Sequence, residues 1–134
     1  MVIGGKIKQV INVYKAIYLS PMIPSFNVRH TLRFFVELFG FSVIMDGDYS
    51  IVKKDEHLIH ILHAGPDIGE MEFYLEVDDI DALWDSIRNK LTDLTVKPPF
   101  DRAYGMREFH IVVPQTKTLM FVGQVIRYHA VTEG

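Results

Sequence analysis

The chain has 134 residues, 49% of them hydrophobic and 23% charged, and a formal net charge of −3. That suits a single domain with a real core and leaves no room for two independent ones. No cysteine is present, which excludes a disulfide framework, a thiolate metal site and a Cys nucleophile.

The charge is unevenly placed. Lys6, Lys8, Lys15, Arg29 and Arg33 all precede the first acid, Glu37, and the stretch from Asp55 to Ile87 holds ten acidic residues without a Lys or Arg. Such a stretch can meet a cationic ligand, match another surface in a dimer, or simply be a solvated face. No basic stripe is interleaved with aromatics, so nucleic acid is not an expected partner. Cytoplasmic residence is the simplest expectation.

In residues 1–19, Ile3, Ile7, Val10, Ile11, Tyr14, Ile17 and Tyr18 recur at helical spacing between polar residues, which predicts an amphipathic helix. Such a helix packs on its own domain or a sister subunit, or adsorbs to a membrane surface. Lys15 breaks the apolar centre a secretory signal needs, and no run reaches the roughly 20 apolar residues of a transmembrane segment.

Pro21–Phe26 reads as extended, and Asn27 as the cap of a helix with Leu32, Phe35, Val36 and Phe39 on its apolar face and Gly40 as its stop. Strands follow at Phe41–Met45, Tyr49–Lys53 and His57–His63, the first two joined by the Asp46-Gly47-Asp48 turn. Ala64–Gly69 is a linker, after which the pattern restarts. Met71–Val77 is a strand, Asp79 caps a helix carrying Ile80, Leu83, Trp84, Ile87 and Leu91, and Leu94–Val96 is a short strand before a Pro98-Pro99 loop. Strands at Arg107–Val113 and Lys117–Gly123 complete it. The order predicts an α+β fold of two paired β-α-β-β-β modules, about 20–63 and 71–124, within a domain spanning 20–126.

His57, His60 and His63 would converge on a helix, but strand alternation sends His60 to one face and the other two to the opposite face. His60 is then a hydrogen-bonded residue of a half-buried sheet more readily than a ligand. Glu72, Tyr74 and Glu76 share one strand face, and Phe73, Leu75 and Val77 the other, which should pack beneath the helices. Glu72 and Tyr74 therefore face solvent or a cleft. Arg107 and Glu108, being adjacent on a strand, point to opposite faces and could anchor a loop, a subunit contact or a ligand. No phosphate-cradling Gly-rich loop, Gly-x-Ser-x-Gly elbow or His-Glu-x-x-His helix occurs.

Three segments carry a family resemblance. Phe34-Phe35-Val36-Glu37-Leu38-Phe39-Gly40-Phe41 resembles the "FY…LGF" end of the first helix in the vicinal oxygen chelate superfamily. Val77-Asp78-Asp79-Ile80-Asp81-Ala82-Leu83 resembles its "V-D-D-V-D-A-L" strand-to-helix junction, and Tyr104-Gly105-Met106-Arg107-Glu108-Phe109 the "W-G-x-R-E-F" loop of its bleomycin-resistance-like branch. The resemblance spans about Ser20 to Gln124 and implies curled sheets forming a cleft, commonly completed across a homodimer.

In the metal-dependent members, His and Glu ligands recur at positions that here correspond to Ser20, His60, Glu72 and Met120. A hydroxyl and a thioether at two of them leave His60 and Glu72, fewer than the three protein ligands a catalytic site retains. The resemblance thus implies a protein without a metal or other cofactor, sequestering a small molecule, such as a cationic aromatic drug, rather than transforming it. The residues expected to line the groove are Tyr49, His60, Glu72, Tyr74, Phe100, Tyr104 and Met120, with aromatic faces for stacking and Glu72 for a positive group. The alternative is a metal-dependent lyase, isomerase or dioxygenase using His60 and Glu72, with a third ligand from His110 or His30.

Overall fold

A computed structural model describes residues 2–3, 6–7 and 13–126. Its strands and helices run β1 (Val2–Ile3), β2 (Lys6–Ile7), β3 (Met22–Ser25), α1 (Val28–Phe39), β4 (Ser42–Met45), β5 (Ser50–Lys54) and β6 (His57–His63). They continue through β7 (Met71–Glu76), α2 (Ile80–Ile87), β8 (Val96–Asp101), β9 (Met106–Val112) and β10 (Thr118–Val125). The two modules repeat one topology. Sheet order is β3-β6-β5-β4 in the first and β7-β10-β9-β8 in the second, and in each the first strand pairs parallel with the last. No strand pairing joins the two sheets among the described residues, so they stay separate curled sheets in one chain.

Local signals start and stop the helices as expected. The Asn27 side chain accepts the His30 N–H at 3.1 Å, and Gly40 closes α1 at φ 71°, a left-handed conformation that glycine adopts without steric cost. Asp79 accepts the Ala82 N–H at 3.0 Å to open α2. Gln124 of β10 ties that helix start to the second sheet, accepting from Ile80 N–H at 2.9 Å and donating to the Asp78 carbonyl at 2.7 Å.

One core serves both modules. Leu32, Phe34, Phe35 and Phe39 of α1 pack with Ile23, Val52, Ile59 and Ile61 of the first sheet, in a cluster continuous with Phe109, Ile111, Met120 and Val122 of the second. The buried Thr31 hydroxyl donates to the Pro114 carbonyl at 2.9 Å, and Phe26 N–H donates to the Gln115 carbonyl at 2.8 Å, joining the modules. Because both helices and both inner sheet faces are spent on this core, each sheet turns its other face outward.

Two expectations need correction. Among the described residues of 1–19 there is no helix: β1 pairs antiparallel with β2 (Val2↔Ile7, Ile3↔Lys6), and residues 13–21 are irregular. The remaining residues of that expectation, 1, 4–5 and 8–12, lie outside the described residues. β-Branched Val2, Ile3 and Ile7 favour strand over helix, Gly4 and Gly5 disfavour a helix interior, and Pro21 biases Ser20 toward extended backbone. The second correction is Pro98-Pro99, which lies inside β8 rather than in a loop. β8 is an edge strand, and the register shift between Lys97 and Phe100 marks where the missing N–H groups break the ladder. No helix among the described residues is long and apolar enough to cross a membrane.

Candidate functional site

The outward face of the second sheet concentrates the chemistry. Strand alternation turns Phe73 and Leu75 of β7 toward the core and leaves Glu72, Tyr74 and Glu76 outside. On β9, Phe109 and Ile111 point inward while Glu108 and His110 take the outer face. The register then aligns Tyr74 with Phe121, Phe121 with His110, and His110 with Lys97. Rings form a continuous stripe across the strands: Tyr74 stacks on Phe121 (centroids 6.2 Å apart, 20° between planes), Phe121 meets His110 at 4.1 Å, and His110 meets Phe100 at 5.2 Å. Lys97 Nζ ends the stripe, 4.1 Å above the Phe100 ring. Glu72, Phe73, Tyr74, Tyr104 and Phe121 line a shallow depression of about 330 Å³ on this face.

Glu108 organises the stripe from beneath. It is completely buried, yet both carboxylate oxygens are saturated. Oε1 accepts from Arg102 Nη1 and His110 Nε2, each at 2.9 Å, and Oε2 accepts from Tyr104 Oη at 2.6 Å and Tyr74 Oη at 2.8 Å. Burial pushes its pKa up, but the hydrogen bonds from His110, Tyr104, Tyr74 and Arg102 outweigh that and hold it at about 2. Burial raises the Tyr74 phenol, with the Glu108 bond adding to it; for Tyr104 the bond to Glu108 is the larger cause. Both tyrosines therefore remain hydrogen-bond donors at neutral pH. Gly123 makes the cluster possible, because a side-chain carbon there would overlap the Tyr74 hydroxyl. Arg107 points the other way, its Nε donating to Asp101 at 2.8 Å and its Nη1 to Asp81 of α2 at 3.3 Å.

The expected groove residues divide between the two sheets. Glu72, Tyr74, Phe100 and Tyr104 lie together on the second sheet and its β8–β9 loop. His60 lies on β6 of the first sheet and Tyr49 in its β4–β5 turn, where Tyr49 Oη and His60 Nδ1 are 2.8 Å apart. No hydrogen bond or ring contact joins these two sets within the described residues of one chain. Tyr18 stacks on His60 with centroids 6.4 Å apart, and His60 Nε2 is buried without a partner among the described residues. Met120 belongs to neither set. It is fully buried in the core between Phe73 and Ile111, and its neighbour Phe121 takes the outward place. A continuous apolar run, Leu119-Met120-Phe121-Val122, hides the alternation, and an offset of one residue reverses every side chain.

The described residues of one chain assemble no site for a divalent metal. Among the described residues no three His, Cys, Asp or Glu side chains converge. The Ser20 hydroxyl donates to the Leu58 carbonyl at 2.7 Å, Met120 faces the core, and the lone pairs of Glu108 are engaged by four donors. Sequence reasoning missed Glu108, Arg102, His110, Phe121 and Lys97 as members of one face. The Glu108-x-His110 alternation against Phe109-x-Ile111 is the signal that marks an outer face on β9.

No family model and no curated protein matches the chain. Solved structures do match it. A bleomycin-binding protein from bleomycin-producing Streptomyces verticillus, complexed with copper(II)-bleomycin, superposes with a TM-score of 0.68 at 21% identity, over 87% of this chain and all of the other. An antibiotic-binding protein from a Streptomyces species gives 0.67 at 18% identity, over 84% and 99%. A lactoylglutathione lyase from Agrobacterium tumefaciens gives 0.67 at 12% identity, over 83% and 95%. The chain has the fold these proteins share.

Proposed function

From a chain with the fold of the vicinal oxygen chelate superfamily, we propose a small-molecule-binding protein that sequesters a planar aromatic ligand in the cytoplasm, without a metal and without chemical turnover. The ligand stacks on the stripe Tyr74–Phe121–His110–Phe100, and Glu72 meets a positive group on it. Two copies pair so that the first sheet of one, carrying Tyr49 and His60, faces the second sheet of the other and closes the groove. The observation that carries this reading is the stripe itself, a run of rings on the outward face, with Tyr74 exposed and Phe121, His110 and Phe100 half-buried, braced by a carboxylate whose two oxygens accept from four donors. A residue so saturated is a poor general base and a poor metal ligand, but it fixes the tyrosines that a flat ligand would meet. Binding proteins for antibiotics on the same fold add support.

Calorimetric titration tests it. Protein dialysed against chelator is titrated with metal-free bleomycin and with the planar cationic dye thioflavin T. Saturable binding of at least one, unchanged by chelator and weakened roughly tenfold by Phe121→Ala, is expected. Binding that appears only after a divalent metal is restored would contradict it.

One observation favours a second reading, a metal-dependent enzyme using His60 and Glu72. His60 Nε2 is the one buried side-chain nitrogen or oxygen without a partner among the described residues, as a ligand atom awaiting its metal would be. That reading requires a second copy to bring Glu72 to His60. It predicts stoichiometric metal, measured by elemental analysis of untagged protein, that is lost in His60→Ala.

A further inference from the structure

The outward face of the second sheet carries charges that no described residue compensates. Glu108 is not among them, because Arg102 and three other donors enclose it. Glu72 on β7 and Lys97 on β8 are both exposed, and no described residue forms an ion pair with either. They stand on the two edge strands, with the aromatic stripe between them. Lys97 shares the cross-strand row of His110, Phe121 and Tyr74, whereas Glu72 lies one row along, opposite Leu119. Three strand spacings and one two-residue step put their backbones about 16 Å apart.

The acidic end is reinforced in its own sign, and the basic end rests on Lys97. Glu76, on the outward face and without an ion pair among the described residues, extends the acidic β7 edge. At the β8 end Lys97 Nζ is held over the Phe100 ring, whereas Arg102, beside the Phe100 and Tyr104 rings, is already paired with Glu108. A ligand positive along its whole length would bring like charge to this end, while one with a negative group there would meet a cation already in place. Resting on the stacking reading above, the geometry points to a ligand class: a flat aromatic molecule with a cationic group at one end and an anionic group at the other. It lies across the strands, its cation at Glu72 and its anion at Lys97.

Three rigid biaryl probes of equal length test this: one with an amidinium and a carboxylate at opposite ends, one with only the amidinium, and one with only the carboxylate. Each is titrated calorimetrically into the full chain at low salt, and into Lys97→Gln and Glu72→Gln. The zwitterion is expected to bind about fivefold more tightly than either singly charged probe. Lys97→Gln should remove its advantage over the amidinium probe, and Glu72→Gln its advantage over the carboxylate probe. An amidinium probe that binds wild type as tightly as the zwitterion overturns the inference and leaves stacking intact. No binding by any of the three overturns both. Both side chains are exposed, and the wild-type comparison decides by itself should a variant misfold.

Discussion

At the scale of single residues, Glu108 holds the outward face of the second sheet together. Its folded pKa of about 2 lies below the ordinary carboxylate value of 4.5, so its contribution is fully present above pH 4.5 and is lost as pH falls toward 2. The difference corresponds to about 3 kcal/mol. Glu108→Gln should lower stability at pH 7 by about 2–4 kcal/mol, since a carboxamide oxygen cannot satisfy four donors and Arg102 loses its counter-charge. The same substitution should flatten the dependence of stability on pH between 4.5 and 2. Urea unfolding of both proteins across that range measures it, and parallel profiles would disprove the assignment. Little of this was legible beforehand. Alternation sets Tyr74 opposite the apolar face of its strand and Glu108 opposite Arg107, but the donors to Glu108 come from β7, β9 and the loop between β8 and β9. Which carboxylate they share is decided only when the strands assemble.

At the scale of elements, β10 and the hairpin leading into it are the sensitive parts. Gly123→Ala should leave the strand formed while pushing the Tyr74 ring off Glu108, at a cost of about 1–2 kcal/mol. Tyr74→Phe removes the same hydrogen bond, so thermal melts of the two single variants and the double variant should show clear non-additivity. Fully additive losses would mean that Gly123 acts elsewhere. In the β9–β10 hairpin, Gln115 sits at φ 67°, where a side chain of its kind is strained. Gln115→Asn, which tolerates that conformation better, should raise stability by about 0.5 kcal/mol, checked by the denaturation midpoint. Caps and turns made the helix limits readable, since Asn27, Gly40 and Asp79 act through their nearest neighbours. The amino-terminal segment was misjudged because periodicity counts apolar residues without weighing two adjacent glycines and several β-branched side chains. Pro98-Pro99 was misjudged because an edge strand tolerates what a central one does not.

At the scale of the whole molecule, the single core directs both helices inward and leaves two sheet faces open, each with half of the expected groove. The repeat of topology was legible from the order of elements; which faces meet was not, because that depends on how the modules pack. Val43, Ile44 and Met45 on edge strand β4, with Tyr14, Ile17 and Leu19 before β3, remain exposed in one chain. A dimer covers such surface, and sedimentation velocity at micromolar concentration should find one; a monomer there would contradict closure of the groove by a second copy. The stacking surface itself is tested most directly by backbone and aromatic NMR shifts as a bound probe is titrated in. The largest shifts are expected at Tyr74, His110, Phe121 and Phe100, with the α1 face silent. Shifts concentrated around α1, with that stripe unchanged, would contradict it.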